Sequence, residues 1–263
     1  MQKTVLLILT LLFFFLATPL NAEYIKSLED YTYQFEQYRL AHQNYSVSKN
    51  KYLSYNTPTS LAEALENGKK AILLRDMVLL TYLQALKDRL QETPSLAPET
   101  LVTNSSLIDT ELSFVASHKD KAQSTISLND LTNVSKELEV KQNDLQGLSK
   151  LILGSILTTR LETLKNNIDK NQDFLSFTVS QNKTVLENSV NLERWLIEAK
   201  NKIVLASQKI DEAKNEFQSA DTRSDYSITE KFNKGQLSLM AGNQYLKEAL
   251  NFQKEIMRGI TND

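Results

Sequence analysis

Two histidines, His42 and His118, are the only imidazoles in 263 residues, and they bound the acid–base and metal chemistry this chain can run. Neither has a second histidine or a carboxylate three or four residues away, the spacing that puts two ligands on one helix face. Nucleophilic catalysis needs a nucleophile beside a base. The chain has no cysteine and no G-x-S-x-G turn. Gly147 and Gly154 lie in an apolar stretch with no following Gly-Lys-Ser/Thr, so no phosphate-binding loop is expected there. Carboxylates are plentiful, but they are interspersed with lysines along helix faces, as Glu193 is with Lys200 and Lys214, the pattern of a solvated helix face. The residues lead to a non-enzymatic reading, with no catalytic residue, metal site or cofactor.

One spacing does invite a binding role. Tyr24, Tyr31, Tyr38, Tyr45 and Tyr52 recur every seven residues, and Leu28, Phe35, His42 and Lys49 follow four residues after successive members. That 4-3 alternation is the spacing of a helix–helix seam. The tyrosine line is therefore either an interaction face for sugars or peptides, or a seam whose hydroxyls reach the rim. His42 lies on this seam, where it is expected to pair with Arg75 of the next helix.

The elements that hold these residues are all helical. Six glycines and four prolines are far below average usage, which disfavours a β-rich or loop-rich chain. Capping signals at Ser60/Glu63, Ser127/Asp130, Thr184/Glu187 and Ser227/Glu230, with Pro98 at another start, divide the chain into six helices. Their expected ranges are 24–55, 60–91, 98–123, 128–179, 184–219 and 227–259. The fold class is all-α: long antiparallel hairpins in an elongated bundle with coiled-coil-like seams. A chain reversal over Asn56–Thr59 sets Tyr31 near Leu86, Tyr38 near Leu79 and Tyr45 near Ile72.

The hairpin 184–259 carries the most specific pattern. Small residues recur every seven positions on both arms, Ala199, Ala206 and Ala213 against Gly235, Gly242 and Ala249. A turn near residue 224 places them opposite one another, where small side chains permit close helix approach. A second apolar line, Val190, Ile197 and Val204, with Trp195 beside the seam, is expected to cover the base on the fourth helix, whose stretch 145–161 is apolar nearly all round. The charged tip, roughly 211–231, is expected to project as a bare two-helix spur.

The ends set the compartment. Lys3, the apolar run Val5–Ala17 and a small-residue exit at Ala22 describe a secretory signal peptide over residues 1–22. That run is 13 residues long, apolar apart from Thr10, and falls short of the roughly 20 that span a bilayer; an uncleaved anchor is the alternative. The mature chain then has an N-terminal three-helix segment, 23–124, and a C-terminal one, 125–263, without an integral membrane span. Without Lys3, 29 basic residues face 32 acidic ones, a net charge of −3. That balance does not suggest nucleic acid as a partner. Sequons stand at Asn44, Asn104, Asn133 and Asn182.

These features describe an exported scaffold or protein-interaction module of the cell envelope or exterior, with a protein partner or self-association. Two other readings are a pore-forming or membrane-acting protein, from the apolar stretches 71–86 and 151–157, and a bundle binding a small ligand near Tyr31, Phe35 and Tyr82.

Overall fold

The computed structural model describes residues 22–182, 189–219 and 225–261. They form six helices and, among the described residues, no strand: α1 (Ala22–Tyr55), α2 (Pro58–Gln91), α3 (Pro98–Ser124), α4 (Leu128–Asn182), α5 (Ser189–Gln218) and α6 (Asp225–Thr261). The fold is all-α. The signal-peptide segment, the Thr184/Glu187 capping signal and part of the Asn182 sequon lie outside the described residues.

The chain forms two compact units, Met1–Glu92 with Asp109–Lys136, and Thr93–Ile108 with Glu137–Asp263. In the first, α1 and α2 form an antiparallel hairpin. Its turn is tighter than expected. Asn56 adopts φ 47, a left-handed conformation asparagine tolerates, and its N–H bonds to Tyr52 O at 2.8 Å. Thr57, not Ser60, caps α2. Its Oγ1 accepts from Ser60 N and its N–H donates to Ser60 Oγ, with Pro58 filling the first helical position. Glu63, expected in the cap, instead pairs with Lys51 at 2.6 Å.

Moving the reversal toward residue 56 shifts the hairpin register by about one turn. Tyr31 meets Tyr82, with ring centroids 5.6 Å apart, rather than Leu86. Tyr45 lies on Gly68, where an added Cβ would be 2.9 Å from its ring, rather than on Ile72. Ile72 packs instead with Ala122 of α3 and Leu131 and Val134 of α4.

In the second unit, α5 and α6 form the other hairpin. Ala199, Ala206, Ala213, Gly235, Gly242 and Ala249 are all buried. A Cβ on Gly242 would stand 3.4 Å from Ala206 O, which is the close approach small residues permit. Gly235 works differently. Phe217 lies over it and also over Gly154 of α4, so the ring is seated between two glycines.

That seat removes the expected spur. Phe217, Ile228 and Phe232 are buried, Lys214 pairs with Glu162, and Lys150 Nζ donates to Thr229 Oγ1 at 2.6 Å. Of the described charges at this end of the hairpin, Lys214 reaches α4, whereas Glu212, Glu216, Glu230 and Lys231 pair within the hairpin itself. Its other end packs on a later part of α4 than expected, with Leu192 and Ile256 joining Leu175 and Val179 and with Trp195 and Leu196 at the edge. The line Val190, Ile197 and Val204 covers nothing; all three side chains are exposed.

Alanine in place of glycine normally favours a helix by about 1 kcal/mol. Here the added Cβ would lie 2.8 Å from Phe217 Cγ at position 154 and 2.5 Å from Phe217 Cε1 at position 235. A ring held from both sides has nowhere to go. Gly154→Ala and Gly235→Ala should each destabilise the protein by about 1–3 kcal/mol, as overpacking does. Denaturant melts should also show that either change costs less in a Phe217→Leu background. Equal cost in both backgrounds would refute the seat.

Candidate functional site

The sequence offers His118 as a lone imidazole; the fold gives it a partner 42 residues away. Asp76 on α2 and His118 on α3 are 0% and 1% exposed. His118 Nδ1 lies 2.7 Å from Asp76 Oδ2, and Nε2 lies 2.8 Å from Val134 O on α4. A carbonyl can only accept, so Nε2 carries a hydrogen, and Nδ1 donates to the carboxylate. Both nitrogens of the resulting imidazolium are committed. Burial by itself lowers the His118 pKa, but the hydrogen bonds to Asp76 and Val134 and the carboxylate's charge outweigh it, and the net shift is upward despite Arg75.

This arrangement fixes three helices of the first unit to one another. It offers no ring lone pair with which to take a proton from a substrate, so its geometry is that of a structural pair and not of an exposed general base. Arg75 closes the layer, with Nη1 3.3 Å from Ser135 Oγ and Nε 3.8 Å from Asp76 Oδ1. The other histidine, His42, is exposed, with the Tyr38 ring 5.8 Å away. It is Tyr38 that feels the Arg75 charge: burial raises the phenol pKa and the guanidinium opposes this.

The tyrosine line is divided by burial. Tyr24 and Tyr31 are buried within the unit and have no surface to offer a partner, while Tyr38, Tyr45 and Tyr52 are half-buried. Tyr31 packs on both Phe35 and Tyr82, so the three aromatics considered for a small ligand stack on one another. At the far end of the hairpin the Arg89 guanidinium lies 4.8 Å from the Tyr24 ring centroid. Ser27 Oγ donates to the buried Asp88, which also accepts from Gln84 Nε2 at 2.7 Å.

The second unit holds its own polar layer, at the residue that interrupts the apolar pattern of α6. Gln253 Nε2 donates to Ile168 O at 2.9 Å and to Gln172 Oε1 at 3.1 Å, and Gln172 Nε2 donates to Leu196 O at 2.8 Å. Among the described residues, no group of three or more His, Asp or Glu side chains could hold a metal ion. Nor is any described helix long and apolar enough to cross a membrane. The Asn104 side chain is buried and closed to a glycan in the folded state, whereas Asn44 and Asn133 are exposed.

Sequence reasoning missed the His118–Asp76 pair because its members lie on different helices, outside any short-range spacing. The charge of Asp76 inside the apolar stretch 71–86 was the available signal, since a carboxylate on a buried face requires a partner. Comparison with protein-family models, curated proteins and solved structures finds no match.

The raised His118 pKa gives stability a definite pH dependence. The folded state holds the proton more tightly than the unfolded chain, whose histidine titrates near pH 6.5. The pair's contribution is therefore complete below about pH 6.5 and is lost as pH rises through the higher folded-state value. Melting temperature should fall over that interval. Asp76→Asn should flatten the fall and cost about 3–5 kcal/mol at pH 6, the usual effect of leaving a buried charge unpaired. An unchanged pH profile in Asp76→Asn would refute the assignment.

Proposed function

We propose that this chain is an exported, non-enzymatic helical scaffold that acts by presenting helix faces to a protein partner at the cell envelope or exterior. The observation that carries this reading is the line Val190, Ile197 and Val204 on α5. These residues are 79%, 62% and 47% exposed, although they repeat every seven positions on a helix whose opposite stripe is fully packed. An apolar heptad line on a rigid helix is shaped to receive another helix. Phe174 and Phe177, one turn apart on α4, are exposed as well, and aromatic side chains dominate protein–protein contacts.

The buried polar groups support the same reading from the opposite direction. Asp76, His118, Gln172 and Gln253 spend their hydrogen bonds on neighbouring helices, which stiffens the supports that carry the exposed lines. Export enters through the N-terminal pattern of charge, short apolar core and small residue.

A photo-crosslinking residue at position 197 or 204, introduced into the chain in its native host, should give a discrete protein adduct. The same residue at exposed Asn233 on α6 should not. Absence of adducts from 197 and 204, or equal adducts from 233, would overturn the proposal.

A further inference from the structure

The outward face of α1 carries a second heptad line, two residues after successive tyrosines of the seam. Tyr33, Leu40 and Val47 are 62%, 48% and 64% exposed. At 100° per residue, Glu29 and Lys51 fall on the same stripe, beyond its two ends. Ile25 and Tyr55 flank it further out, and both are exposed.

This stripe reads the same way from either end. About Leu40, Tyr33 is matched by Val47, Glu36 by Asn44, Glu29 by Lys51 and Ile25 by Tyr55. Each of these four matches joins apolar to apolar, opposite charges, or a carboxylate to an amide, and Lys26, also beside the stripe, is matched by the neutral polar Ser54. Charge follows the same division: residues 23–39 carry a net −2 and residues 41–55 a net +2. A parallel neighbour would set acid against acid and base against base. An antiparallel copy sets each half against its complement.

We infer that α1 is the interface of an antiparallel homodimer, in which a second copy of this chain lies along the Ile25–Tyr55 face with its two-fold axis at Leu40. The interface is isologous, the same patch on both subunits, and runs for about 45 Å at 1.5 Å per residue. The inference rests on the reading of the chain as an interaction protein and names one partner for it. The α5 line remains open to a different protein.

The absence of native cysteine makes the register directly testable in the full chain. Leu40→Cys lies on the axis and meets its own copy, so oxidation should yield a disulfide-linked dimer on a non-reducing gel. Val47→Cys alone should run as a single chain on that gel, because in the dimer it faces Tyr33 of the other copy. Mixed Tyr33→Cys and Val47→Cys chains should cross-link to each other. Sedimentation should show Glu29→Lys weakening the dimer by about tenfold, the scale of two exposed ion pairs turned repulsive. Glu29→Lys combined with Lys51→Glu should restore it.

Cross-linking of Val47→Cys alone as readily as Leu40→Cys would overturn the register. A wild-type chain that sediments as a monomer while Leu40→Cys fails to cross-link would overturn the dimer. That last result would leave adducts from positions 197 and 204 intact, so failure of the dimer is distinguishable from failure of the broader interaction role.

Discussion

A long helix in water is held in place by what its apolar stripe touches, because its own hydrogen bonds barely offset the entropy of ordering the backbone. Every other feature of this protein follows from that constraint. There is no disulfide to staple the chain, and the described connections between helices are too short to add a core. Cohesion must come from the seams, and these are filled by unequal means. Alanines at 199, 206 and 213 and the glycine at 242 let α5 and α6 approach closely. Near the 211–231 end the solution reverses, and one large ring fills the space vacated by two missing side chains.

Apolar seams that repeat every seven residues have a weakness: a slip of one heptad superposes them on themselves. The buried polar layers remove that freedom. A slip of α6 would take Gln253 away from Ile168 O and Gln172, leaving amide groups unpaired where each costs about 1–3 kcal/mol. The same holds for α3, where a slip would part the His118 imidazolium from Asp76 and Val134 O. Each layer joins a hairpin helix to an additional one, so it fixes levels that hydrophobic contact alone leaves degenerate.

What the sequence discloses and what it hides divide along this line. Helix class, number and most boundaries are local properties, visible in glycine scarcity, in Pro98 and in the Ser127/Asp130 cap. The six small residues of the last hairpin are visible because their period is strict. The register of the first hairpin is not, since it depends on whether the helix stops at Tyr55 or later, and that turns on the backbone of Asn56. Which apolar line faces inward is also hidden. Val190, Ile197 and Val204 have the composition of a buried stripe, and only the position of α4 shows that Leu192, Trp195 and Leu196 took that place. The spur failed as an expectation for a related reason: charged outer faces at 211–231 say nothing about Phe217, which is anchored by a glycine more than sixty residues earlier.

Helix α1 shows how one period can serve two purposes. A repeat of seven returns every residue to nearly the same azimuth, so a helix that keeps the repeat keeps all its faces in line. The tyrosines at 24, 31, 38, 45 and 52 turn toward α2, and the residues two positions later, Tyr33, Leu40 and Val47, necessarily form a line of their own, rotated by 200°. Nothing inside the unit requires that second line to be apolar. A solvated helix face would be as stable with lysine or glutamate there, and more soluble. Its apolar character, bounded by Glu29 at one end and Lys51 at the other, therefore has to be explained by something outside the unit. A face that matches itself when reversed is most economically explained by another copy of itself.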